Sequence, residues 1–72
     1  MPFRIVEVEL DKHGLPLDRK VVHPSFDTEE EAIRRLESLI SHYDNWGYDE
    51  KQKSWWVLAA NGDRMTFFIE GM

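Results

Sequence analysis

The chain contains no cysteine, no glycine-rich or proline-rich stretch and no long apolar run, and each absence narrows what its 72 residues can be. Without cysteine there is no disulfide framework, no thiol chemistry and no place for most structural zinc sites. Its four glycines stand apart at 14, 47, 62 and 71, so no phosphate-cradling loop is present. No stretch approaches the roughly 18 apolar residues of a membrane span, and the N-terminal MPFRIVEVEL carries charges inside its apolar run, unlike a signal peptide. A cytoplasmic location with no membrane association is the expectation. Cationic charge is also scarce. Nine Lys and Arg against fourteen Asp and Glu leave a formal charge of −5, which opposes an electrostatic grip on nucleic acid or anionic lipid.

The length suits a single domain over residues 1–72 and leaves little core to stabilise it. Small domains compensate with disulfides, metal or self-association; the lack of cysteine removes the first and most structural zinc sites, and self-association stays open.

Phe3–Leu10 alternates apolar and acidic residues in its second half, placing Val6, Val8 and Leu10 on one face and Glu7 and Glu9 on the other. Phe3 and Ile5 have the opposite parity, so either a bulge flips the strand near Ile5 or its outer face is apolar too. Asp11-Lys12-His13-Gly14 reverses the chain, and a short strand over 19–23 completes a hairpin that Pro24 ends. Pro16 argues for loop or edge around residues 15–17.

The strongest local signal follows. In Asp27-Thr28-Glu29-Glu30-Glu31, Asp27 or Thr28 caps a helix and the three glutamates complement its dipole. Ala32, Ile33, Leu36, Leu39, Ile40 and Tyr43 then form one apolar stripe, and Asn45 and Gly47 supply a helix stop. Residues 46–53 read as a mostly polar connection carrying Trp46 and Tyr48. A second hairpin pairs residues 54–59 with 64–69 around Asn61-Gly62. Read as a two-residue turn, Asn61-Gly62 sets Ala60 opposite Asp63, Leu58 opposite Met65, Trp56 opposite Phe67 and Ser54 opposite Ile69 on one side. Val57/Thr66 and Trp55/Phe68 then fall on the other.

The expected fold is α+β, a β-β-α-β-β chain forming a four-stranded, mainly antiparallel sheet with one helix packed on one face. The two antiparallel orders expected set Phe3–Leu10 beside 54–59, or 19–23 beside 64–69. One helix covers one face of such a sheet. The register assigns Trp56, Leu58, Met65, Phe67 and Ile69 to the helix side and leaves Trp55, Val57 and Phe68 outside, with Phe3, Ile5 or Val21 able to join them. The candidate interface is therefore Trp55 and Phe68 as anchors, with Val57 beside them and Trp46 and Tyr48 at the rim. The competing reading folds the 46–53 connection or the C-terminal residues over that face.

Nothing assembles a catalytic, cofactor or metal site. His13, His23 and His42 lie in a turn, at a strand end and near a helix end, with no ligand spacing among them. No serine has a nucleophile-elbow context, and the acidic pairs Glu7/Glu9 and Asp49/Glu50 read as solvated faces. The functional expectation is a non-catalytic interaction module that homodimerises or binds a protein partner through the aromatic outer face. The alternative is a single-stranded nucleic-acid or regulatory binder using the same aromatics, although no basic, glycine-rich pattern accompanies them.

Tyr43-Asp44-Asn45-Trp46-Gly47-Tyr48-Asp49-Glu50 followed by Trp55-Trp56 resembles a group of short bacterial proteins of alphaproteobacterial type, in which a helix leads into a W-G-Y sequence and then a W-W pair. The resemblance spans nearly the whole chain and implies no activity. Residues 3–39 also resemble the hairpin–helix module of YegP-like domains, which implies self-association or duplication.

Overall fold

The computed structural model describes residues 2–71, except for the side chains of His23 and Pro24. Five strands and one helix follow in the order β1 (Phe3–Leu10), β2 (Pro16–Phe26), α1 (Glu29–Ile40), β3 (Asn45–Asp49), β4 (Ser54–Leu58) and β5 (Arg64–Gly71). The class is α+β as expected, but the described sheet has five strands where four were expected. Its order is β2-β1-β5-β4-β3, antiparallel throughout.

Neither expected order occurs, because β1 pairs with β5 and not with the 54–59 strand. The physical reason is visible in the side chains. Ile5-Val6 and Phe67-Phe68-Ile69 are apolar at consecutive positions, so both strands are best placed in the middle of the sheet, where a strand on each side shields them. Residues 45–49, expected as helix stop and polar connection, form the added edge strand instead.

α1 begins where the capping residues put it. Thr28 is extended, and its hydroxyl accepts from the Glu31 amide at 3.2 Å. Ala32, Leu36 and Ile40 are fully buried, and Ile33, Leu39 and Tyr43 pack around them. The helix ends at Ile40, one turn before Asn45, and neither Asn45 nor Gly47 takes the left-handed conformation. On the sheet the core is completed by Ile5, Trp55, Val57 and Phe67.

Both hairpins turn in the same way. The Asp11 amide donates to the Leu15 carbonyl at 2.8 Å and Gly14 donates to Asp11 at 3.0 Å; Ala59 donates to Asp63 and Gly62 to Ala59, each at 2.9 Å. Each loop therefore holds three residues, with a left-handed glycine third, φ 82° at Gly14 and 92° at Gly62. A two-residue turn would need positive φ at Asn61 as well. The extra residue shifts the expected β4–β5 register by one, so that Trp55 faces Phe67, Trp56 faces Thr66 and Val57 faces Met65. Every side chain of β4 thereby changes face.

In β1 the apolar alternative holds. Its ladder with β5 runs unbroken from Phe3 to Leu10, Ile5 points to the helix, and Val6, Val8 and Leu10 lie on the outer face with Phe68, Thr66 and Arg64. The irregularities fall in the pairing with β2, at three places. They let an edge strand run from Pro16 to Phe26, through both prolines that had bounded the expected 19–23 strand.

Candidate interaction site

The sheet presents two distinct surfaces. On the outer face, Val21, Val6 and Phe68 lie in one cross-strand row and Arg19, Val8, Thr66 and Trp56 in the next. Val6 is wholly buried although no helix covers it, so its neighbours' side chains close over it. Val21 is 43%, Trp56 46% and Leu58 37% exposed, so this face carries a real apolar surface.

One end of the face is closed by charge. Arg4 donates to Glu70 Oε1 through Nε at 2.7 Å and also through a terminal nitrogen, and Arg19 donates to Oε2 at 2.7 Å. The Arg19 guanidinium also stands 5.6 Å from the centre of the Phe68 ring. The Arg4 hydrogen bonds, with the charges of both arginines, hold the Glu70 carboxyl below its ordinary range against a smaller opposing effect of burial.

The W-G-Y and W-W sequences meet as one interlock. In the β3–β4 ladder Trp46 faces Val57, Gly47 faces Trp56 and Tyr48 faces Trp55. On the outer face the Trp56 indole lies against Gly47 so closely that a Cβ there would sit 2.6 Å from ring atoms. On the helix face Tyr48 and Trp55 are 4.7 Å apart between ring centres, tilted by 50°. Glycine in the middle of β3 is thus the space that Trp56 occupies.

This redistributes the expected interface. Of Trp55, Phe68, Val57, Trp46 and Tyr48, only Phe68 lies on the outer face. Trp55 and Val57, at 8% and 2% exposure, belong to the core beneath the helix. Trp46 and Tyr48 are exposed, but on the helix side of the sheet, where α1 does not reach them. Trp56 and Leu58, expected inside, are the outer-face residues. Strand parity could not have found them, since 54–58 is apolar on both faces; the extra loop residue, Ala60, decides. The 46–53 segment does not cover the outer face either, because its first half extends the sheet as β3.

On the helix side, a groove of about 510 Å³ separates α1 from β3. Glu29, Ile33 and Glu37 of the helix line one flank, Trp46 and Tyr48 the other, and Trp55 and Ile69 lie between them. His13 lies in the first turn and His42 is exposed beyond the helix; no group of three or more metal-ligating side chains occurs among the described residues. No helix among them is long and apolar enough to cross a membrane. No family model, curated protein or solved structure matches the chain.

Proposed function

We propose that this chain is a non-catalytic interaction module that binds a second copy of itself, or the apolar surface of a partner protein, through the outer face of its sheet. The observation that carries this reading is the exposure of Trp56, Leu58 and Val21 around the buried Val6 and the half-buried Phe68, on a face that no helix protects. Trp56 is also held rigid by Gly47, so binding it costs little conformational entropy. Anchors of this kind, large, aromatic and fixed in place, are what interfaces use.

Sedimentation equilibrium from micromolar to submillimolar concentration tests the reading. The native chain is expected to dimerise, with a melting temperature that rises with concentration. Val21→Lys with Leu58→Lys is expected to give a monomer of unchanged circular dichroism. A native chain that stays monomeric and whose partner capture survives both substitutions would falsify it.

A second reading is favoured by one observation. Arg4, Arg19 and Arg64 share the outer face with Phe68 and Trp56, an arrangement suited to stacked bases. Glu70 already holds two of the three arginines, which supports the protein-binding reading over it. Titration with a single-stranded oligonucleotide at low salt separates the two: tryptophan quenching that fades steeply with salt belongs to nucleic acid alone.

A further inference from the structure

The two edges of the sheet are built differently. β2 has three register irregularities and two prolines, devices that stop another strand from adding. β3 has no proline, and its five pairs with β4 run without a bulge, leaving its other side unpaired at the end of the sheet. Beside this open edge lies the groove of Trp46, Tyr48 and Trp55.

The groove's charge states what it accepts. Glu29 and Glu37 stand two turns apart on one face of α1, and neither has an ion-pair partner among the described residues. An apolar occupant would strip water from both carboxylates and return nothing. An anionic one would be repelled. A cation gains the carboxylates on one side and the faces of aromatic rings on the other. Lys53 lines the groove as well, but one ammonium leaves the pair of carboxylates in excess.

We propose that β3 and the adjoining groove bind an extended basic segment of a partner protein, which adds as a sixth strand and reaches an arginine or lysine side chain across Trp46/Tyr48 toward Glu29/Glu37. Alternate residues of an added strand point to the same face, so a segment with basic residues at every second position meets the groove repeatedly. The site lies on the helix side and shares none of its residues with the outer face, so it stands or falls independently of self-association.

The probe is a fluorescein-labelled peptide of alternating valine and arginine, compared with the same peptide carrying glutamine for arginine. Anisotropy should show saturable binding of the arginine peptide, roughly tenfold tighter than the glutamine peptide. In amide and indole NMR spectra the Trp46 indole and the Gly47 and Tyr48 amides should shift. Glu29→Gln with Glu37→Gln, and separately Trp46→Ala, should each weaken binding several-fold. Glu7→Gln with Glu9→Gln removes equal charge elsewhere and should not, and Val21→Lys on the outer face should leave the affinity unchanged. Absence of saturable binding, or equal losses from the 29/37 and 7/9 pairs, overturns the proposal.

Discussion

Gly47 is the residue whose replacement has the most legible result. Any side chain there meets the Trp56 ring at 2.6 Å, so either the indole or strand β3 must move. Gly47→Ala is expected to destabilise the fold by about 1–3 kcal/mol, the usual range for overpacking. Denaturant titration together with tryptophan emission checks it, and an unchanged midpoint with unchanged emission would refute the interlock. Glu70 contributes to the acid limb of stability. Its folded pKa is lowered from 4.5 by Arg4 and Arg19, so its contribution is present above that value and is lost as pH falls through the lower folded value. Glu70→Gln should therefore flatten the decline of stability below about pH 4.5, as read from melting temperature against pH. The site is 31% exposed, so solvent screening keeps the effect modest.

Among the elements, the helix was the most readable in the sequence, because its signals are local. Thr28, the acidic first turn and the stripe from Ala32 to Ile40 all act within a few residues of one another, and each is found in place. Thr28→Ala should cost about 1 kcal/mol, measurable by urea titration, through loss of the bond to the Glu31 amide. The sheet was less readable. Both hairpins were legible as hairpins, yet Asn61-Gly62 suits a two-residue and a three-residue loop alike. The difference moved Trp55 and Val57 from the outer face to the core and Trp56 from the core to the outside. β3 was hidden because Asn45-Trp46-Gly47-Tyr48-Asp49 has the composition of a turn. What makes it a strand is the fit of its glycine to a tryptophan nine residues later, a relation that strand propensities do not express. The candidate site inherited the same uncertainty: its aromatic residues were visible, but their faces depended on one residue of register.

At the scale of the molecule, the sheet offers two different faces and two different edges. The outer face carries Trp56 and Leu58, the helix side carries the acidic aromatic groove, and the prolines and bulges of β2 confine any strand addition to β3. The order β2-β1-β5-β4-β3 also places the first and last strands together at the centre, with Val6 opposite Phe68. That junction sets the kinetics of folding. Either hairpin can form from neighbouring residues on a microsecond timescale, but the core between them needs two segments roughly sixty residues apart to meet, an ordering cost of about 4 kcal/mol before any contact rewards it. A non-local pairing of this kind is expected to slow folding relative to either hairpin alone, and it leaves the apolar edge of β1 without its partner until β5 has been synthesised.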